Sequence, residues 1–417
     1  SCHFTDVCFA PNGHPLFDDA DRKKFGFSFL YISKDDPRDP EREIRRNPEV
    51  LKTIHKPQAL GKGPTGGNVH PGHYLTPRVV NQSTAAIFQK HWSTIPVAIP
   101  FTAYQCNNFG HSLGDNAFAM YRILKNFGLY HPELQFIPLR IDCPNADGDG
   151  DRCSILSKVM DPFVKGIGTP FHQTSVFNYY YKAALNISKD QHQQMKKNQS
   201  LPLLCFENVL SGVFYYTDHG QDLTMHGGRE DKAGSNLFLT GSGDKLWEFR
   251  NEYMKRLGMD PNRHLSKRSC ETRDELASIV IVPRRPELNR RSGWYEEKLI
   301  SELNKTLPNE SVTVLDFSIH DVKAQVDLAS TAKMLVSMGG GASYLAWFLP
   351  PGGSLIMLKR NDKVSDGFIW DNIPHIKREY VNASEAKVKK EEIYDYVEMA
   401  KTAERLIEHY NQRYCDD

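Results

Sequence analysis

The sequence has no long apolar run, since no stretch reaches the roughly 18 residues that a membrane-spanning helix needs. It also has no excess charge of either sign, because 52 Lys and Arg face 51 Asp and Glu, for a formal net charge of +1. A balanced chain has no global field that attracts nucleic acid or an anionic membrane. With 40% hydrophobic and 11% aromatic residues, the composition is typical of an ordinary soluble globular protein.

The start of the chain lacks an initiator Met and a signal peptide. Ser1 is therefore expected to follow a further segment, and any membrane anchor is expected there. The chain has 417 residues, which is too long for one hydrophobic core, so two domains are predicted. Internal repeats and low-complexity tracts are absent from the sequence.

Cysteine never occurs as C-x-x-C, which argues against a zinc ribbon or a thioredoxin-like motif. The eight cysteines accompany a set of N-x-[ST] sequons. An even cysteine count with several sequons favours the lumen of the Golgi or endoplasmic reticulum, where glycans attach and disulfides persist. The alternative is a cytosolic protein with chance sequons and reduced thiols. The sequons lie at Asn81, Asn186, Asn198, Asn304, Asn309 and Asn382.

Strand and helix patterns alternate through the second half of the chain, which predicts a parallel sheet with crossover helices, as in a Rossmann-like domain. We expect an N-terminal domain with an irregular start over residues 1–218 and a loop-like linker over 219–244. The Rossmann-like domain is predicted over 245–385, followed by an amphipathic C-terminal helix within 386–417.

The stretch MGGGASYLAWFLPPGGSLIML, from Met338 to Leu358, places small residues between a predicted strand and a predicted short helix. A glycine-rich strand-to-helix turn exposes backbone N–H groups at a helix N-terminus, which suits a diphosphate. Taken alone, the pattern is equally typical of a tight turn packed against a neighbouring strand. The candidate donor-binding residues in this turn are Gly339, Gly340, Gly341, Ala342 and Ser343.

A basic loop, PRRPELNRR, directly follows the predicted strand SIVIVP. Arg284, Arg285, Arg290 and Arg291 are thus expected at the carboxyl end of that strand, where open parallel sheets bind ligands. The guanidinium fork binds phosphate oxygens in pairs. Some of these arginines are expected simply to be solvated. Two such loops at one sheet edge favour a nucleotide diphosphate as the ligand.

A predicted helix begins within the block from Asn108 to Asp115. His111 and Asp115 are four residues apart and share a helix face, and Arg122 returns to the same stripe. This polar stripe is a candidate cleft lining; the alternative is that the His and the Asp bond to each other and brace the helix. The opposite face is expected to dock on the sheet through Leu113, Ala117, Met120 and Leu124.

The acidic stretch DGDGD, residues 147–151, resembles the start of a calcium loop. An EF-hand needs a Gly at its sixth position and an acid at its twelfth, whereas Arg152 and Cys153 follow here. A solvated turn is therefore favoured over a calcium site. A disulfide between Cys143 and Cys153 is expected to close a short loop around this turn.

In this order and spacing, the blocks resemble glycosyltransferase family 61 over about Cys106 to Leu358. That family includes an O-GlcNAc transferase acting on secreted EGF domains and plant xylosyl- and arabinosyltransferases. The block from Asn108 to Asp115 is similar to the family's N-x-x-H-x-x-x-D, and LLCFENVLSG also looks like a family segment. The family's basic loop corresponds to PRRPELNRR. Its M-H-G-A-G-L corresponds to MGGGAS, so the family His is Gly339 here.

The resemblance implies an α/β fold of GT-B type, with two Rossmann-like domains facing a cleft and the C-terminal helix crossing back. It implies inverting transfer from a UDP-sugar to a hydroxyl of a glycan or glycoprotein, with the UDP-sugar as co-substrate and without a metal or other cofactor. His111 is then the base or an acceptor ligand and Asp115 orients it, or the two roles are exchanged. Asn108 and Arg122 belong to the acceptor side. The alternative, favoured by Gly339, is an inactive glycan-binding protein; a calcium-dependent protein ranks below both.

Overall fold

The fold is α/β and comprises two compact units. One is formed by Ser1–Thr217 with Leu223–Met225, the other by Asp218–Asp222 with His226–Asp417. Most of the predicted linker lies outside the described residues. The computed structural model describes residues 2–17, 27–33, 78–102, 107–141, 154–164, 176–211, 243–262, 278–283, 296–316, 320–338, 341–359, 373, 375–382 and 394–414.

The first unit contains a seven-stranded mixed sheet in the order β3-β2-β1-β7-β5-β6, with β4 pairing with β7. Strand β1 is antiparallel to β2 and to β7, whereas β5 is parallel to both β6 and β7. The portion β7-β5-β6 is therefore the Rossmann-like part of this sheet. The strands are β1 (Cys2–Pro11), β2 (Phe27–Ser33), β3 (Arg78–Asn81), β4 (Lys90–Trp92), β5 (Val97–Thr102), β6 (Phe136–Ile141) and β7 (Leu203–Ser211).

The helices of the first unit include one that begins as a π-helix, His111–Phe118, and continues as the α-helix α2. It lies between β5 and β6 in the chain and forms their crossover. The final helix before β7, α5, has no buried residue and starts with a capping box, because Ser188 Oγ accepts from Gln191 N at 3.1 Å and Gln191 Oε1 accepts from Ser188 N at 2.7 Å. The α-helices are α1 (Gln82–Ala86), α2 (Ala119–Asn126), α3 (Ser154–Met160), α4 (Val176–Leu185) and α5 (Lys189–Lys197).

A disulfide joins two neighbouring strands of this sheet, β1 and β7, which are its first and last strands along the chain. Cys8 and Cys205 are register partners of β1 and β7, and their sulfurs are bonded. They are 197 residues apart in the chain, and eight cysteines allow on the order of 100 pairings, so sequence reasoning did not select this pair. The predicted Cys143–Cys153 disulfide lies outside the described residues and stays a prediction.

The second unit contains a five-stranded sheet in the order β12-β11-β10-β8-β9, and every neighbouring pair is parallel. The first strand in the chain, β8, is flanked by the second and the third, so the order reverses between β8 and β10. This is the switch point of an open doubly wound sheet. The predicted parallel sheet is confirmed. Its strands are β8 (Ile279–Val282), β9 (Val312–Val314), β10 (Met334–Met338), β11 (Ser354–Lys359) and β12 (Lys377–Asn382).

Helices cover both faces of this sheet. Leu299 and Leu303 of α7 and Met399 and Ala403 of α9 form one core with alternate strand residues such as Ile281. On the other face, α8 and α6 pack against a 3₁₀ helix, Gly341–Phe348, that follows β10. The predicted return of the C-terminal helix towards the first domain stays a prediction. The α-helices are α6 (Gly243–Arg256), α7 (Glu296–Thr306), α8 (Val322–Thr331) and α9 (Tyr396–Tyr414).

A buried ion pair lies at the edge of this sheet where its strands begin. Lys333, just before β10, bonds both carboxylate oxygens of Glu310 at 2.9 and 3.0 Å, and Asn411 of α9 donates to the same carboxylate at 3.3 Å. Burial alone would raise the pKa of Glu310. Hydrogen bonds from Ser278, Lys333 and Asn411, with the charge of Lys333, outweigh burial and hold that pKa below its usual value. The pair lies at the edge opposite the carboxyl ends of the strands.

We expect Glu310→Gln to lower the free energy of unfolding of the second unit at pH 7 by about 3 kcal/mol, because the Lys333 ammonium stays buried without its counterion. Urea denaturation checks this value. Since the pKa of Glu310 is depressed, its stabilisation is present above the unfolded pKa and is lost as the pH falls through the folded pKa. The difference between variant and wild type should therefore shrink in acid.

The exposed pair of Glu302 with Lys305 is the matched control. Its atoms are 2.7 Å apart, but 66% of the Lys305 side chain is exposed, so Glu302→Gln should change stability by less than about 1 kcal/mol. Equal losses in Glu302→Gln and Glu310→Gln would contradict the structural role of the buried pair.

Candidate functional site

The carboxyl edge of the second sheet brings together the starts of the two segments that the sequence singled out. β8 and β10 are adjacent, and Val282 is the register partner of Ser337, so the chain leaves both strands at neighbouring points about 4.8 Å apart. Open parallel sheets bind ligands at this switch point. Arg284, Arg285, Arg290, Gly339 and Gly340 themselves lie outside the described residues.

The first turn of the 3₁₀ helix is tied to the end of β10. Ser337 of β10 and Ser343 of the helix share a hydrogen bond of 2.8 Å between their hydroxyl oxygens, and both side chains are buried. This bond spans the glycine turn and fixes the helix start at the sheet edge. Gly341 and Ala342 therefore present their backbone at the positive end of a short helix. The predicted short helix is present, with 3₁₀ rather than α geometry.

The aromatic half of the same stretch is structural. Trp347 is fully buried and contacts the rings of Tyr344 and Phe249 at centroid distances of 5.0 and 6.2 Å. The end of the 3₁₀ helix is fixed by Arg250, whose Nη2 donates to the carbonyl oxygen of Phe348 at 3.1 Å. These contacts anchor the helix whose other end lies at the candidate site.

Arg250 itself is fully buried, and sequence reasoning did not predict its structural role. Its Nη1 donates to the carbonyl oxygen of Pro261 at 3.2 Å, and its guanidinium lies 4.5 Å from the ring centroid of Trp247. Burial lowers the pKa of Arg250 to about 10, which still leaves the group charged at neutral pH. Such a buried cation, surrounded by carbonyl oxygens and an aromatic face, has no local sequence signature.

In the first unit, the block from Asn108 to Asp115 also follows the carboxyl end of a parallel strand. β5 is paired with β6 on one side and β7 on the other, so the strand order also reverses at β5. Asn108 Oδ1 accepts from the backbone N of Gly110 at 3.0 Å and of His111 at 3.4 Å, and thereby caps the helix start.

The π-helix His111–Phe118 carries the predicted polar stripe. Among the described side chains from 109 to 124, only His111 and Arg122 keep partial exposure, and the others are buried. Asn116, almost fully buried, donates from Nδ2 to the carbonyl oxygen of His111 at 2.8 Å. Short π-helical segments occur frequently at functional sites. The predicted burial of the opposite face is confirmed, because all four of its residues are buried: Leu113, Ala117, Met120 and Leu124.

One of the predicted relationships on this stripe remains open. The side chain of Asp115 is not among those described, so its contact with His111 stays a prediction. The Arg122 guanidinium lies 5.8 Å from the ring centroid of Phe118, one helical turn earlier. Phe118, which interrupts the polar stripe, thus packs against the Arg122 side chain.

Residues 109–356 match the family model Glycosyltransferase 61. The match covers more than half of the 417 residues. The chain belongs to glycosyltransferase family 61. It is therefore assigned to the glycosyltransferases, as the sequence blocks predict. No curated protein matches the chain.

The family region runs from the capped start of the π-helix to a point within β11. Each of its three blocks comes after the carboxyl end of a strand of a parallel arrangement, β5, β8 or β10. The three blocks of this chain thus lie at the edges where parallel α/β sheets bind ligands.

Within the described ranges, no group of three or more His, Cys, Asp or Glu side chains could hold a metal ion. The acidic stretch 147–151 is not among the described residues. None of the described helices is long and apolar enough to cross a membrane.

Proposed function

We propose that this protein transfers a sugar, with inversion, from a UDP-sugar to a hydroxyl of a glycan or glycoprotein in the Golgi or endoplasmic reticulum lumen. The observation that carries the proposal is the placement of all three family blocks at the carboxyl ends of parallel strands that flank a switch point. The UDP-sugar is a co-substrate, and the reaction uses neither a metal nor another cofactor.

The donor diphosphate binds at the edge formed by β8 and β10. Arg284, Arg285 and Arg290 follow β8 in the chain and supply positive charge, and the backbone from Gly339 to Ser343 supplies N–H groups. The hydrogen bond between Ser337 and Ser343 supports this role, because it fixes the end of the turn without using the backbone donors.

The two α/β units correspond to the two domains of a GT-B enzyme. In this arrangement they face a cleft, the donor binds to the second unit, and α9 crosses back towards the first. The support is that each unit has a parallel portion with a family block at its carboxyl edge.

The acceptor hydroxyl reacts in the first unit's part of the cleft, lined by Asn108, His111, Asp115 and Arg122. Its oxygen forms a bond to the anomeric carbon from the face opposite UDP, and the bond from that carbon to the UDP oxygen breaks. His111 takes the hydroxyl proton, and UDP leaves with the bonding electron pair. The partial exposure of His111 on an otherwise buried helix supports this role.

The secretory compartment is supported by two features. The Cys8–Cys205 disulfide requires an oxidising environment to persist. Four of the sequon asparagines have exposed side chains that leave room for a glycan: Asn186, Asn198, Asn304 and Asn309. The side chains of Asn81 and Asn382 are not among those described.

Arg284→Ala and Arg285→Ala are each expected to weaken UDP binding by roughly ten- to 100-fold, because removing a charged hydrogen-bond partner from a phosphate costs about 1.5–3 kcal/mol. Isothermal titration calorimetry measures the loss. Arg405→Ala is the control, since Arg405 pairs with Glu379 on the surface at 3.0 Å and should leave the affinity unchanged. Unchanged UDP affinity in both loop variants would exclude this donor site.

The alternative of an inactive glycan-binding protein is favoured by one observation, Gly339 in place of the family His. UDP release from UDP-GlcNAc, UDP-xylose, UDP-arabinose and UDP-galactose, with and without candidate acceptors, separates the two functions. Acceptor-dependent release with one donor supports transfer. Glycan binding without release from any of the four donors supports the alternative.

A further inference from the structure

The turn between β9 and α8 lies at the same carboxyl edge as the proposed donor segments. β9 is next to β8 on the side away from β10, and Leu315 N donates to the carbonyl oxygen of Ile281 at 2.8 Å, which continues this pairing to the end of the strand. Two strand spacings therefore separate this turn from the glycine turn, about 10 Å along the edge. Its described residues are Asp316, His320 and Asp321.

A buried amide is held at this turn. Gln325 lies on the inward stripe of α8 with Val322 and Val326, and it is only 7% exposed. Its Nε2 donates to the carbonyl oxygen of His320 at 2.8 Å, which fixes the amide beside the turn. Its Oε1 is buried and accepts no hydrogen bond from any described group. Because buried polar atoms are nearly always paired, this oxygen indicates a hydrogen-bond donor supplied from outside the chain.

The other groups of the turn are also acceptors. His320 Nδ1 lies 2.8 Å from the carbonyl oxygen of Asp316. A carbonyl can only accept, so Nδ1 carries the hydrogen and Nε2 of the neutral ring is an acceptor. The Asp316 carboxylate is exposed at the same turn. The start of α8 is capped from within, because Asp321 Oδ1 accepts from Ala324 N at 2.8 Å.

We infer that this turn binds the ribose hydroxyls of the UDP moiety, with Gln325 Oε1 and His320 Nε2 as acceptors. The inference rests on the proposed function and extends its donor site. A cluster of acceptors beside a carboxylate repels phosphate but suits a diol, which offers two hydroxyl donors. The sheet edge is then divided by chemistry: the segments after β8 and β10 bind the diphosphate, and the turn after β9 binds the sugar of the nucleoside.

Calorimetry on the full chain with UDP, 2′,3′-dideoxy-UDP and inorganic pyrophosphate tests the inference. Wild type should bind UDP roughly tenfold more tightly than the dideoxy compound, as expected for lost hydrogen bonds. The variants His320→Ala and Gln325→Leu should each reduce this ratio, and together bring it close to one, with unchanged pyrophosphate affinity. The control is Ser330→Ala, which removes a different buried polar group of α8. The Ser330 hydroxyl donates to the carbonyl oxygen of Asp327, and its loss should leave the ratio of UDP affinity to dideoxy-UDP affinity unchanged.

The outcomes separate this inference from the proposed function. If UDP binds and both variants keep the wild-type ratio, the ribose is bound elsewhere and the inference is wrong, while the proposed donor site stands. If wild type binds neither UDP nor pyrophosphate, the proposed function fails and the inference fails with it. If Gln325→Leu does not fold, the ratio measured with the half-exposed His320→Ala variant decides alone.

Discussion

His111→Ala is expected to lower the rate of sugar transfer by about 10²–10⁴-fold while the protein stays folded. General-base catalysis by a positioned imidazole contributes a factor of this size, and Arg122 is the one other described side chain from 109 to 124 that is not buried. The helix start should survive the change, because its cap comes from the Asn108 side chain, and the Asn116 side-chain amide bonds only the backbone carbonyl of residue 111. Steady-state UDP release with acceptor present measures the rate.

His131→Ala is the matched control for this prediction. His131 is an exposed histidine of the same unit, beyond the end of α2, and its loss should leave the rate unchanged. Asp115→Asn should reduce the rate if the carboxylate orients the imidazole or takes the proton itself. If His111→Ala and Asp115→Asn both melt like wild type and keep near-normal rates, the stripe is structural and the base lies elsewhere.

Removal of the disulfide is expected to have the largest effect on stability. Replacing both Cys8 and Cys205 by Ala should destabilise the first unit by about 5 kcal/mol. The bond joins residues 197 positions apart and thereby lowers the conformational entropy of the unfolded chain. A loss of this size is comparable to the whole stability of many domains, so a fall in secreted yield should accompany it. Urea denaturation under oxidising conditions measures the change.

Reductant supplies the internal control. Because both sulfurs are buried between β1 and β7, reduction should act mainly on partly unfolded protein and should lower wild-type stability towards that of the double variant. Equal stability of the double variant and wild type under oxidising conditions would show that the bond does not stabilise the fold.

Several elements could be predicted from the sequence because their signals are local. SIVIVP and MLVSM are continuous apolar runs, and they form β8 and β10 within a sheet that helices cover on both faces. The spacing of Leu113, Ala117, Met120 and Leu124 predicts a buried helix face, and all four are buried. Because each of these patterns lies within a few neighbouring residues, each could be read without knowing the fold.

The geometry of the helix starts depended on contacts that periodicity does not reveal. The helix at His111 begins with a π-helical segment, and the side-chain amide of Asn116 also bonds the carbonyl oxygen of His111. The helix after β10 is 3₁₀, tied by the Ser337–Ser343 bond. An amphipathic pattern indicates a helix but does not distinguish these closely related geometries, whose difference is a shift of one hydrogen-bond partner.

The sequence by itself determined the alternation of strands and helices in the second unit, the membership of glycosyltransferase family 61 and the three blocks that mark it. Only the tertiary structure decided that the strands before these blocks lie at switch points, that Cys8 pairs with Cys205, and that Glu310, Lys333 and Asn411 meet at the opposite edge. It alone showed Gln325 with an unused oxygen beside the turn after β9. Strand order and these contacts join residues far apart in the chain, and many pairings satisfy the same local pattern until the packing of a whole unit selects one.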